Sequence, residues 1–108
     1  LEGKKIASMA EVYHAQIAPH LYCGPVVAAA NIQLATCTPN FLILETIQGW
    51  QGFHADLVKT SIKYEGGFII PPTEPGLGIE LNEKVALANP YTGSELHLEM
   101  SSVPATLL

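Results

Sequence analysis

The chain has few charged residues, few aromatic residues and only two cysteines. Of its 108 residues, 14% are charged and 7% are aromatic, with 5 basic side chains against 10 acidic ones. The basic residues form no patch that would hold phosphates, so we expect no nucleic-acid partner. No apolar run approaches the roughly 18 residues that suggest a membrane-spanning helix, so we expect no membrane partner.

The N-terminus and the cysteines favour a soluble cytoplasmic protein. Residues 1–6 lack the apolar segment of a secretory signal, and because the chain starts at Leu1 rather than Met we expect a longer reading frame or processing. Cys23 and Cys37 stand at opposite ends of a predicted helix, roughly 20 Å apart at 1.5 Å per residue. That distance is too long for a disulfide, and free thiols suit a reducing compartment.

Apolar residues are abundant for a chain of this size. Hydrophobic residues make up 48% of the sequence, which leaves little charged surface to cover a core. The length allows one domain at most. The composition leaves two possibilities open, namely that the chain packs against more protein or that it forms a compact domain with a large core.

One stretch organises the rest of the chain as strand, helix and strand. Ile17 and Ala18 form a short strand that opens at His20, residues 26–36 form an Ala-rich helix, and the apolar residues 41–44 form a strand that ends at Glu45. A helical crossover makes the two strands parallel. Neighbouring strands lie about 4.8 Å apart, so His20 and Glu45 are expected at one sheet edge, within reach of one small ligand.

The segments on either side of this unit are predicted from their periodicity. Residues 2–13 are expected to form an amphipathic helix that buries a single stripe, made of Ile6, Met9, Ala10 and Tyr13. A sheet of two parallel strands is not independently stable and needs both faces covered. The remaining strands must therefore come from other protein.

After Glu45 the pattern becomes irregular. Trp50 lies in a loop, where it closes over a ligand or caps the end of a core. The patterns then predict a helical turn over residues 55–59, a hairpin over 61–70, a short helix over 83–88 with Asn82 as its N-cap, and a strand over 95–100. His97 and Glu99 would share one face of that last strand, but without a third ligand an exposed face is the better interpretation than a metal site.

Several motifs, in their order and spacing, resemble one family. They are Ala18-Pro19-His20, Cys23-Gly24-Pro25, Leu44-Glu45 and the sequence PTEPGLGIE at residues 72–80. Together they resemble the C-terminal part of the mandelate racemase/muconate lactonizing group of the enolase superfamily. Within that group the sugar-acid dehydratases of the galactonate type look most similar, and the resemblance runs from Leu1 to about residue 100.

The resemblance implies an α/β fold with a modified (β/α)7β TIM-like barrel, an N-terminal capping domain and a C-terminal segment that returns to the cap. The chain would carry the last helix–strand units of the barrel in residues 1–59. Residues 60–108 would form the capping segment and tail.

The resemblance also implies an activity, that of a Mg²⁺-dependent acid-sugar dehydratase. Such an enzyme removes the proton α to a carboxylate and then eliminates water to give a 2-keto-3-deoxy acid. His20 matches the family's histidine that acts as base or acid and that is held by an aspartate of the sixth strand. Glu45 matches the acidic residue that hydrogen-bonds the enolate oxygen. Tyr22 and Trp50 are expected to contact the substrate. The metal ligands of the family precede this chain, so no residue here is assigned to the metal and the chain alone is expected to be inactive.

Three alternatives stay open. The chain can be a racemase or cycloisomerase part of the same superfamily, or a non-catalytic piece that associates with itself. A further hypothesis makes Cys23 a nucleophile at a helix N-terminus, although a buried structural cysteine is the commoner case. The expected partners are a small acid sugar and either the missing barrel and cap or another copy of the chain, as a homo-oligomer.

Overall fold

The computed structural model describes residues 1–47 and 49–92. In this part of the chain the elements follow in the order α1 (Glu2–Val12), α2 (Pro25–Thr36), α3 (Phe53–Asp56), β1 (Lys63–Glu65), β2 (Phe68–Ile70) and α4 (Glu83–Ala88). The predicted strand over residues 95–100, with His97 and Glu99, lies outside the described residues.

A parallel contact joins the two segments on either side of α2. Ile17 pairs with Phe41 in parallel orientation. The Ile17 N–H donates to the carbonyl of Asn40 at 2.9 Å, and the Leu42 N–H donates to the carbonyl of Ile17 at 2.9 Å. The predicted parallel pairing is therefore present, and it brings the chain after Ile17 close to the chain after Phe41.

The expected strand over residues 41–44 is wrong in its extent, because the pairing stops after a single bridge. Leu42 and Ile43 are 59% and 63% exposed, so this apolar run is not covered on both faces. Within the described residues, no other strand pairs with this segment. An extended ladder needs such a neighbour to satisfy its backbone groups.

Helix α2 provides most of the core. It begins at Pro25, where a missing N–H costs nothing and the fixed φ suits the first helical turn. Its buried residues include Ala28, Ala29 and Ile32, and Leu21 from the preceding loop is also buried. This helix was predicted almost to the residue.

Helix α1 approaches α2 closely at Gly3. A Cβ placed on Gly3 would lie 3.2 Å from Leu34 Cδ2, and Ala7 is completely buried. The predicted buried stripe is wrong, because Ile6 and Met9 are 59% and 61% exposed and Tyr13 is more exposed still. Small residues allow a close approach of the two helices, whereas the large ones of the stripe find no covering surface in the described chain.

The segment after Glu45 forms a hairpin and two short helices. Strands β1 and β2 pair antiparallel, with Tyr64 opposite Ile69, as predicted. Helix α3 covers Phe53–Asp56 rather than the predicted residues 55–59, because Gly52 supplies the carbonyl that starts the turn earlier. Helix α4 follows Asn82 as expected, although the Asn82 side chain makes no capping hydrogen bond.

The described residues form an α/β arrangement with a small core and no closed barrel. The completely or nearly buried apolar side chains come mainly from α2 and from Ala7 and Leu21. A compact domain with a large core is therefore not what these residues form, and their many exposed apolar side chains fit a chain that packs against more protein. Among the same residues, no helix has both the length and the apolar character needed to cross a membrane.

The loop between β2 and α4 gives a test of backbone strain. Gly76 and Gly78 have φ values of +70° and +74°, a backbone conformation that residues with a side chain rarely adopt. A Cβ on Gly78 would lie 2.5 Å from Pro72 Cβ, whereas a Cβ on Gly76 would meet nothing within 4 Å.

We therefore expect Gly76→Ala to lower the free energy of unfolding by about 1–2 kcal/mol, the cost of the left-handed conformation. Gly78→Ala should cost about 1–3 kcal/mol more, because Pro72 must move. Urea unfolding of both variants measures this difference. Equal losses would contradict the contact between Gly78 and Pro72.

Candidate active site

His20 and Glu45 meet where the two parallel segments end. The Glu45 Oε2 atom accepts a hydrogen bond from His20 Nδ1 at 2.5 Å. The two side chains are 76% and 53% exposed, so the pair is open on one side. The topology predicts this neighbourhood, since each residue lies a few positions beyond the Ile17–Phe41 bridge. Their catalytic roles stay a prediction.

The same carboxylate oxygen also accepts a backbone hydrogen bond. The Leu21 N–H donates to Glu45 Oε2 at 3.0 Å. This backbone bond first, and the bond from His20 second, hold the pKa of Glu45 below its ordinary value of 4.5. Glu45 is therefore ionised at neutral pH and places a negative charge beside the imidazole.

A second helix residue holds the peptide between His20 and Leu21. Asn31 Nδ2 on α2 donates to the carbonyl of His20 at 3.0 Å. The sequence motifs do not point to Asn31. The feature that could have indicated its role is an amide side chain within the apolar run of α2, because Asn is a poor helix former and needs another reason to be present there.

The arrangement of His20 and Glu45 suits proton transfer. With Nδ1 donating to an ionised carboxylate, Nε2 of the neutral imidazole is the nitrogen that accepts a proton. Among the described residues, Oε1 of Glu45 has no hydrogen-bond partner, so it is available to a ligand. The resemblance implies an aspartate outside this chain as the partner of the histidine. Among the described residues, the His20 imidazole hydrogen-bonds Glu45.

Tyr22 and Trp50 flank this pair but differ in their surroundings. Tyr22 is 78% exposed. Trp50 is half-buried, and its Nε1 donates to the carbonyl of Cys23 at 3.2 Å. Trp50 therefore ties the loop after Glu45 to the loop after His20. Contact of either residue with a substrate stays a prediction.

Cys23 and Cys37 are both free thiols, as the helix between them predicts. Both are exposed, so the expectation of a buried structural cysteine at position 23 is wrong. Cys23 precedes Gly24, the N-cap of α2. Its carbonyl, and not its thiol, accepts the hydrogen bond from Trp50.

A magnesium site is not built from the described residues alone. Mg²⁺ prefers several oxygen ligands in octahedral geometry. Residues 1–47 and 49–92 contain no group of three or more His, Cys, Asp or Glu side chains placed to hold a metal. Among the same residues, the His20 imidazole is bonded to the Glu45 carboxylate, whose Oε2 is already shared by two donors.

His20 and Glu45 thus lie in contact just beyond two parallel segments of the chain. The chain belongs to the enolase C-terminal domain-like family, which matches residues 1–85. The recognition of the mandelate racemase/muconate lactonizing group from its motifs is thereby confirmed.

Relatives of known structure or function agree with this membership. A solved structure of a candidate mandelate racemase/muconate lactonizing enzyme from Labrenzia alexandrii is 69% identical with a TM-score of 0.78, and the match covers 87% of this chain and 24% of that one. A D-galactonate dehydratase from Cronobacter sakazakii is 38% identical over 93 residues, 81% of this chain and 24% of the relative. A D-xylonate dehydratase from Haloferax volcanii is 33% identical over 95 residues, 88% of this chain and 23% of the relative. The chain thus spans about a quarter of the length of these proteins.

The bonds to Glu45 predict its titration. The pKa of Glu45 should lie below 4.5. His20→Ala should raise that pKa only part of the way, because the hydrogen bond from the Leu21 N–H, which also lowers it, remains. A group whose pKa is lowered in the folded state adds stability above its unfolded pKa and loses it as the pH falls through the folded pKa. The stabilisation by Glu45 is therefore present above pH 4.5 and disappears below it.

Carboxyl-carbon NMR titration of Glu45 in the parent protein and in His20→Ala measures the two pKa values directly. Thermal midpoints between pH 3 and pH 6, with Glu45→Gln as the control that removes the titrating group, measure the effect on stability. A Glu45 pKa at or above 4.5 would contradict the two hydrogen bonds.

Proposed function

We propose that the chain is the C-terminal part of a Mg²⁺-dependent acid-sugar dehydratase. The contact between His20 and Glu45 carries the proposal, because an imidazole and a carboxylate meet beyond two parallel segments of a chain in this family. The dehydratase names of the relatives from Cronobacter and Haloferax supply the reaction class.

The proposed reaction takes a proton from the carbon next to the substrate carboxylate. The electron pair of that C–H bond forms a double bond to the β carbon, whose hydroxyl leaves with its own bonding pair and takes up a proton as water. The enol product then tautomerises to a 2-keto-3-deoxy acid. Nε2 of His20 is the atom that accepts or returns a proton, which an imidazole can do near neutral pH.

Glu45 holds the imidazole and meets the substrate. Its Oε2 accepts from His20 Nδ1, which keeps a proton on that nitrogen and makes Nε2 the proton acceptor of the neutral imidazole. We propose that substrate binding brings a proton between Glu45 Oε1 and an oxygen of the substrate carboxylate, because two carboxylates in contact cannot both stay ionised. Tyr22 and Trp50, on the adjoining loops, are proposed to contact the sugar hydroxyls.

The rest of the proposed enzyme lies outside this chain. Residues 1–59 are proposed to supply the last helix–strand units of a (β/α)7β barrel, and residues 60–108 a segment that returns to the cap. Mg²⁺ would stabilise negative charge on the substrate carboxylate. Its ligands would have to come from outside the described residues, which do not hold a suitable cluster.

The roles of the pair predict the effect of two substitutions in the full-length protein that carries this sequence. His20→Asn and Glu45→Gln should each lower kcat by at least about 100-fold with D-galactonate or D-xylonate, in keeping with the usual contribution of a general acid or base. His14→Asn is the matched control. His14 precedes Ile17, so the same His→Asn change is made at the end of the strand opposite to His20. Asn tolerates the positive φ of 56° at that position.

Release of 2-keto acid measures turnover, and circular dichroism checks folding. Full activity of His20→Asn would overturn the proposal. Exchange of the α-proton with solvent deuterium, without loss of water, would instead identify a racemase.

A second candidate function is self-association of the chain. An open apolar cleft of about 760 Å³ lies between α2, residues 41–44 and the hairpin. Its lining includes Leu42, Ile43 and Phe68, which are 59%, 63% and 73% exposed. In a longer enzyme neighbouring barrel segments would cover this cleft, and in the isolated chain a second copy is proposed to do so.

The isolated chain should therefore sediment as a dimer or larger species at micromolar concentration and melt cooperatively by circular dichroism. Ile43→Lys should shift it towards monomer, because a charge in the cleft must be desolvated. Leu87→Lys is the control, since Leu87 is 81% exposed on α4 and does not line the cleft. A chain that is monomeric at all concentrations would contradict self-association.

A further inference from the structure

We propose that Asn31 is a positioning residue for the His20–Glu45 pair, acting through the backbone of His20 from helix α2. The inference rests on the proposed function for its catalytic meaning. Its structural part concerns only the peptide between His20 and Leu21.

That peptide is held at both of its polar groups. Asn31 Nδ2 donates to its carbonyl oxygen at 3.0 Å, and its N–H donates to Glu45 Oε2 at 3.0 Å. Rotation of the peptide plane would break both bonds together. Because the peptide is bonded to Asn31 on one side and to Glu45 on the other, it fixes the position of the His20 Cα relative to Glu45. That position decides whether the imidazole reaches the carboxylate.

Asn31 is itself fixed by the best-packed part of the fold. It lies on α2 between the buried residues Ala28, Ala29 and Ile32. The next residue of the held peptide, Leu21, is 1% exposed and anchors the loop from the other side. The amide group is therefore presented from a rigid helix, which is how precise sites are usually supported.

The two hydrogen bonds also reinforce each other. A peptide carbonyl that accepts a hydrogen bond becomes more polarised, and its own N–H becomes a stronger donor. Asn31 thereby strengthens the bond from Leu21 to the Glu45 carboxylate. Loss of Asn31 weakens that bond although Asn31 hydrogen-bonds the His20 carbonyl and neither Glu45 nor the imidazole.

Gln33 on the same helix offers a matched control. Its Nε2 donates to the carbonyls of Pro72 at 3.4 Å and Leu77 at 3.5 Å. Gln33→Leu removes a side-chain amide that braces a loop from α2, just as Asn31→Leu does. The loop concerned, however, carries neither His20 nor Glu45.

The experiment compares Asn31→Leu, Asn31→Asp and Gln33→Leu in the full-length protein that carries this sequence. Asp has the shape of Asn but no N–H, so it keeps the test available should the Leu variant fail to fold. The first readout is hydrogen exchange of the Leu21 amide, measured by fragmentation mass spectrometry. The Ala28 amide, which donates to Gly24 O within the helix start, is the internal reference.

Both Asn31 variants should exchange the Leu21 amide about three- to tenfold faster than the parent protein, with the Ala28 amide unchanged, as expected for the loss of one hydrogen bond. With D-galactonate or D-xylonate as substrate, kcat should fall about three- to tenfold while KM stays within about twofold, because Asn31 does not contact the substrate. Gln33→Leu should leave both readouts as in the parent.

Unchanged exchange of the Leu21 amide in the Asn31 variants would overturn the inference. Equal acceleration at Leu21 and Ala28 would also overturn it, since that result means a loosened helix rather than a released peptide. If the parent protein turns over no acid sugar, the proposed function fails, while the exchange experiment still decides whether Asn31 holds the peptide.

Discussion

The parallel pairing of Ile17 with Phe41 is the constraint on which the site depends. A single bridge, closed by hydrogen bonds from Ile17 to Asn40 and from Leu42 to Ile17, sets two chain segments side by side with the same direction. Because both segments run the same way, they end at the same edge, and the next polar residues of each come within reach. The short distance between His20 and Glu45 is thus a consequence of backbone pairing between residues that have no chemical role.

Helix α2 makes that pairing possible and then adds to it. Its buried Ala28, Ala29 and Ile32 supply the apolar contacts that a single bridge lacks. From half-buried positions on the same helix, Asn31 and Gln33 reach two different loops. The crossover between the strands is therefore both the core of the described chain and the support for the loops at its edge.

The sequence predicted well those features that depend on local chemistry. Pro25 at a helix start, the hairpin turn after Glu65 and the meeting of His20 with Glu45 follow from turn residues and from the order of elements. The predictions of burial failed, because a hydrophobic residue shows that a covering surface exists without showing which chain supplies it. Ile6, Met9, Leu42 and Ile43 are all apolar at the expected positions and exposed in the described chain. Asn31 could not be predicted, because it donates to a backbone carbonyl, and every residue has a backbone carbonyl whatever its side chain.

The segment from His20 to Cys23 is held through main-chain atoms. The His20 carbonyl accepts from Asn31, the Leu21 N–H donates to Glu45, and the Cys23 carbonyl accepts from Trp50. The side chains of Tyr22 and Cys23 take no part in these bonds, and both residues are exposed. Evolution can therefore exchange the side chains at these two positions without moving the backbone beside His20. On the proposed function, the substrates of related enzymes can diversify at this short segment while the contact between His20 and Glu45 is inherited unchanged.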